Sequence, residues 1–171
     1  MKKFSLLFVI LALGLSLAAS PAVQSGKIYW GKDVPAGWIG NWPEKFLTVS
    51  EKTRFEETSS AQQILEFINA LQWNSENISV FDMFTSELGR VCPVVVLANP
   101  RITSPEEAKS SGKPVVFILS GIHPAECSGK EADLMLMRDI LLGDKKHLLD
   151  NQIILICPNF NTASPSDAPN V

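Results

Sequence analysis

The chain is sparing in the residues that most often carry a site, with two histidines, one tyrosine and three cysteines among 171 residues. It has no cluster of lysine and arginine, and its formal net charge is -3, so neither nucleic acid nor an anionic lipid surface is expected as its main partner. No internal repeat or low-complexity block occurs. No Gly-x-Ser-x-Gly occurs either, so Ser120 and Ser128 lack the sharp turn that exposes a serine nucleophile, and a serine hydrolase is a weak reading. The apolar run at residues 6–19 is shorter than the ~20 residues that cross a bilayer, so no stable membrane anchor is expected.

Three cysteines are an odd number, and in a chain that looks exported at least one thiol then has no partner within the chain. Cys92 and Cys157 sit in strand-like apolar runs and read as small buried hydrophobes. Cys127 adjoins Glu126, but no Cys-x-x-Cys or matching histidine spacing marks it as a metal thiolate.

What is present begins with Lys2 and Lys3, an apolar run over 4–19, and then Ser20, Pro21 and Ala22. That is the pattern of a signal peptide over residues 1–22, with cleavage expected after Ala22 and export to the periplasm or the extracellular space. Loss of the two lysines makes the chain more acidic still. Roughly 150 residues remain, enough for one domain or part of one. Residues 23–52 read as a turn-rich opening segment, with Trp30, Trp38 and Trp42 as packing anchors among several glycines and prolines.

Further on, Ser60 is an N-cap for an amphipathic helix whose apolar positions are Ile64, Leu65, Phe67, Ile68 and Leu71. Residues 78–84 and 91–98 read as strands of a hairpin turning at Ser86-Glu87-Leu88-Gly89-Arg90. Ser104-Pro105-Glu106-Glu107 opens a short surface helix that stops at Gly112. Residues 115–119 are continuously apolar, as suits a strand buried on both faces at the centre of a sheet. A helix is expected over 131–142, ending at Gly143, with its methionines as core filler. Residues 153–157 then complete a strand-helix-strand unit of the parallel type. The expected fold class is α/β, a mixed and mostly parallel sheet with flanking helices, and residues 162–171 form an irregular tail.

The chemistry gathers between the 115–119 strand and the helix after it. Ser120-Gly121 lets the chain turn, and His123 and Glu126 follow, three apart around Pro124. Neutral imidazole and carboxylate both offer lone pairs to a zinc ion, which in catalytic sites takes three protein ligands and a water. These two would be metal ligands, and a third is missing from the chain. Spacing alone is thin support, since His147 and Asp150 repeat it in what reads as a surface turn.

The surroundings of the pair add a resemblance. Residues 53–161 resemble the N-terminal half of a zinc carboxypeptidase of the M14 peptidase family. The matching residues are Thr53 with Thr58, Ser86 with Gly89-Arg90, Pro114-Val115-Val116-Phe117-Ile118, Gly121-Ile122-His123-Pro124-Ala125-Glu126, Gly129-Lys130-Glu131-Ala132 and Leu136-Met137-Arg138-Asp139. Residues 153–158, with Asn161 after them, resemble the strand that in the family leads to an Asn-Pro-Asp-Gly turn. The resemblance implies one Zn2+ on His123 and Glu126, a peptide substrate, and a metallocarboxypeptidase activity in which the metal polarises the scissile carbonyl and a glutamate shuttles the proton. In the family the second zinc histidine, the arginine for the terminal carboxylate and the general base all come later, so the fold is expected to be incomplete at the C-terminus and the catalytic residues to lie outside this chain. Two departures are visible. Pro124 stands where many members have a small residue, and Asn161 is followed by Thr162-Ala163-Ser164-Pro165. Two further readings stand beside the leading one: a non-catalytic exported fragment with at most weak metal or partner binding, and a related zinc amidohydrolase or deacylase. Oligomeric state is not legible.

Overall fold

The computed structural model describes residue 34, residues 37–123 and residues 126–163. The expected signal peptide, Trp30 and residues 164–171 lie outside the described residues, as do Pro124 and Ala125. All described residues fall within one unit, Lys32–Val171.

The opening segment is more ordered near its end than its composition implies. A 3-10 turn at Glu44–Phe46 is followed by a short helix α1, Val49–Lys52, started by a capping box in which Thr48 and Glu51 each satisfy the other's backbone N–H. Ser60 and Gln63 make the same reciprocal pair at the start of α2, Ala61–Gln72. Ile64, Phe67, Ile68 and Leu71 form the buried stripe of α2, as the spacing predicts.

Strands β1, Ile78–Thr85, and β2, Val91–Leu97, form the expected antiparallel hairpin. The short helix α3, Pro105–Ser110, follows its Ser104 cap. Strand β3, Val115–Leu119, leads through the His123 loop into α4, Cys127–Leu141, and then β4, Ile153–Cys157. Helix α4 begins four residues before the expected start, because Cys127-Ser128-Gly129-Lys130 carries no apolar period to reveal the first turn. A side chain at Gly129 would meet Ser120 Oγ at 2.9 Å, so its absence lets the start of α4 rest on the end of β3.

The strand order is β1-β2-β4-β3. The sheet is mixed, but only the β3–β4 pair is parallel, whereas β1–β2 and β2–β4 are antiparallel. A mostly parallel sheet is therefore not what the described strands form. Helices α2 and α4 cover one face, where Val95, Leu97, Ile154 and Ile156 meet Ile68, Leu71, Leu134, Met137 and Ile140. On the other face α3 and Ile102 cover only part of β2 and β4, leaving an apolar groove of about 700 Å³ near the starts of β3 and β4, away from His123.

Strand β3 corrects one expectation. It is an edge strand, with Val115 51% and Phe117 49% exposed, not a central one buried on both faces. A continuous apolar run signals only that both faces suit burial and is silent on the backbone edges, and among the described residues β4 supplies a neighbour on one edge only.

Candidate metal centre

The loop carrying His123 is laid along the end of β4 by backbone hydrogen bonds that prolong the parallel ladder beyond both strands. Ser120 N donates to Cys157 O at 2.9 Å, Phe160 N to Ser120 O at 2.9 Å and Asn161 N to Gly121 O at 2.9 Å. The Asn161 side-chain amide donates to Ile122 O at 3.3 Å. Gly121 takes φ +64, where only a residue without Cβ sits free of strain, and a Cβ there would lie 2.7 Å from Asn159 Oδ1 and 2.9 Å from Asn159 Cα. The turn is thus built from both strands. This is the carboxyl end of a parallel strand, where ligand sites of open α/β sheets are found.

The loop brings the two sequence-predicted ligands together. His123 Nδ1 and Glu126 Oε2 are 3.0 Å apart, and their side chains are 71% and 67% exposed. Glu126 N also donates to His123 O at 3.1 Å, closing the turn. Glu126 precedes the first residue of α4 yet makes no side-chain cap to it, so its carboxylate is turned toward the imidazole. Two ligands ~2.0–2.2 Å from a tetrahedral zinc are roughly 3.3–3.6 Å apart, so this nitrogen-oxygen pair suits two corners of a zinc site after a small adjustment. Among the described residues no group of three or more His, Cys, Asp and Glu is placed to hold a metal. Cys127, although exposed and adjacent, adds no third donor. His147 is exposed and its Nδ1 lies 3.1 Å from Asp144 O, in keeping with its reading as a surface residue.

Helix α4 is held from below by polar side chains whose burial the sequence does not reveal. Lys130 Nζ donates to Ser59 O at 2.6 Å, Glu131 accepts from Thr58 Oγ1 at 2.8 Å and from Ser59 N, and Arg138 Nη1 donates to Phe46 O at 3.0 Å and to Glu51 Oε2 at 2.6 Å. Arg138 also stacks over the Trp42 ring at 4.8 Å, so Trp42 is the packing anchor expected of it. Trp38 is half exposed against Phe55. Behind the loop, burial pushes the Asp133 carboxyl up to about 6, against a hydrogen bond from Ser120 that pulls it down. Its Oδ2 is buried without a partner. On the other side, Arg90 Nη1 donates to Thr162 O at 3.1 Å, which ties the hairpin turn to the segment after β4. A cleft of about 200 Å³ between Phe84, Ile122, Phe160 and Asn161 adjoins the loop.

The M14 peptidase family model, described as zinc carboxypeptidase, matches residues 64–162, more than half of the chain. The chain belongs to the M14 zinc carboxypeptidase family. Solved structures agree in fold. Carboxypeptidase A from Helicoverpa armigera is 19% identical with a TM-score of 0.52, covering 62% of this chain and 25% of its own. A metallo-carboxypeptidase from Burkholderia cenocepacia is 21% identical with a TM-score of 0.51, covering 62% and 28%. Bovine thrombin-activatable fibrinolysis inhibitor, solved in complex with tick carboxypeptidase inhibitor, is 17% identical with a TM-score of 0.51, covering 64% and 33%. The chain thus spans a quarter to a third of the length of these solved structures. No curated protein matches it.

Proposed function

We propose that the chain contributes a two-ligand half of a zinc site, His123 and Glu126, to a metallocarboxypeptidase that hydrolyses peptide or peptide-like amide bonds. The observation that carries this reading is the 3.0 Å approach of His123 Nδ1 to Glu126 Oε2 on the β3-loop-α4 unit of an M14 family member. Zinc bound there would act as a Lewis acid on the scissile carbonyl and would activate water. The residues of the chain orient the pair. His123 would offer an imidazole nitrogen, and Glu126 a carboxylate oxygen from the residue preceding α4. Gly121 and Asn161 set the loop against β4, and Lys130, Glu131 and Arg138 keep α4 in register beneath it.

The 171 residues by themselves are expected to be inactive, because they span a quarter to a third of the length of the carboxypeptidase structures they resemble. The second reading is a non-catalytic exported chain that binds metal weakly. Export to the periplasm or the extracellular space is part of the same proposal. The test is an assay of the purified chain, and of any longer product of its gene, on C-terminally free peptides and on N-acyl amino acids, with and without chelator. Chelator-sensitive peptide cleavage by the longer product supports the carboxypeptidase reading, and cleavage of acyl amino acids alone favours a deacylase. No turnover by either product contradicts the enzymatic reading.

A further inference from the structure

Cys92 on β2 and Cys157 on β4 are both fully buried and stand with their sulfurs 3.5 Å apart. The β2–β4 register pairs Val95 with Ile156, which puts Val94 opposite Cys157 and leaves Cys92 diagonal to it on the same face of the sheet. With Val94 the two cysteines form a small cluster of their own, packed by Leu155. Cys92 Sγ also lies 3.6 Å from the carbonyl oxygen of Asn159, the residue against which Gly121 is pressed. The pair therefore sits under the backbone bed of the His123 loop.

We propose that Cys92 and Cys157 are a disulfide-forming pair that closes when the chain folds in the presence of a disulfide oxidant, tying β2 to the end of β4 beneath the metal loop. A bond needs the sulfurs to approach to ~2.05 Å, roughly 1.5 Å closer than they stand. The hydrogen bond between the thiols lowers the Cys92 thiol from its ordinary range, and the same contact, helped by burial, pushes that of Cys157 up. With glutathione disulfide as oxidant, the Cys92 thiolate attacks one sulfur and releases one glutathione thiolate. Cys157, deprotonated, then attacks the Cys92 sulfur of the mixed disulfide and releases the second. The protein loses two electrons and two protons, and the glutathione disulfide becomes two thiols. Exposed Cys127 remains free. Because both paired sulfurs are inaccessible in the native state, the exchange occurs on the folding chain.

The experiment refolds the full chain from the reduced, denatured state in an oxidising glutathione buffer, quenches with acid, and alkylates in denaturant before mass spectrometry. The expected product carries one alkyl group on Cys127 and a peptide linking Cys92 to Cys157, lighter by two hydrogens than the two thiol peptides. Cys127→Ser should give the same link with no alkylation, and Cys92→Ser should leave Cys157 alkylated. If Cys92→Ser fails to fold, the Cys127→Ser result decides alone. Three alkylated cysteines after refolding, or a link that includes Cys127, overturns the proposal. Neither result bears on zinc binding by His123 and Glu126, so the two proposals fail separately.

Discussion

Arg138 Nη1 donates to Glu51 Oε2 at 2.6 Å with both side chains almost wholly buried, joining the helix that follows Glu126 to the segment before α2. A buried ion pair stabilises little relative to a well-packed apolar pair, but losing one partner strands the other charge. Glu51 is already under-satisfied, since its Oε1 has no hydrogen-bond partner. Arg138→Met should therefore destabilise the chain by about 3–5 kcal/mol, and Arg138→Met with Glu51→Gln should recover part of that loss. Urea unfolding midpoints of the two variants and the parent check this, and equal midpoints for the single and double variants would show that the pair is not coupled.

Gly121 and Gly112 separate backbone strain from steric clash. Both hold positive φ, +64 and +68, but a Cβ at Gly112 has nothing within 4 Å, whereas one at Gly121 meets the Asn159 backbone. Gly112→Ala should cost about 1 kcal/mol, and Gly121→Ala about 1–3 kcal/mol more, with loss of zinc binding. Thermal unfolding with zinc titration of the two variants measures the difference.

Asp133 gives the chain a pH dependence opposite to that of a paired carboxylate. Its folded value, about 6, lies above the ordinary 3.8, so the folded state holds the proton more tightly than the unfolded chain. The resulting stability is complete below about pH 4 and is lost as pH rises through about 6. Asp133→Asn should accordingly stabilise the chain by roughly 1–2 kcal/mol at pH 8 and change little at pH 4. Urea unfolding at both pH values tests the sign.

The β3 edge should make the isolated chain associate. Phe117 and Val115 expose apolar surface on a strand whose outer edge has no strand neighbour among the described residues. A flat apolar edge of this kind templates pairing between chains, and a lysine on it opposes that pairing. Phe117→Lys should reduce concentration-dependent association without unfolding the chain. Light scattering over a dilution series, with circular dichroism as the fold control, reads both.

Local signals carried much of the fold. The Ser60 cap with its apolar stripe located α2, the Gly89-Arg90 turn located the hairpin, and the apolar runs at 115–119 and 153–157 located β3 and β4. The approach of His123 to Glu126 was legible because both residues lie on one loop. Relations between distant segments were not. An apolar run reads the same whether its strand has one neighbour or two, so the edge position of β3 could not be seen. Cys92 and Cys157 read as separate buried residues because their approach depends on the β2–β4 register. Lys130, Glu131 and Arg138 carry charges that pattern reading assigns to solvent, and their burial follows from partners as far away as Glu51 and Ser59.

The central claim is that His123 and Glu126 bind one zinc ion together. Its most direct test is zinc affinity of the 171-residue chain by competition with a chromophoric chelator, compared with His123→Ala, Glu126→Gln and His147→Ala. Each of the first two should weaken binding by at least about tenfold, equivalent to ~1.4 kcal/mol, with His147→Ala unchanged. Zinc affinity unaltered by loss of His123 or Glu126, or lost with His147, would contradict the assignment.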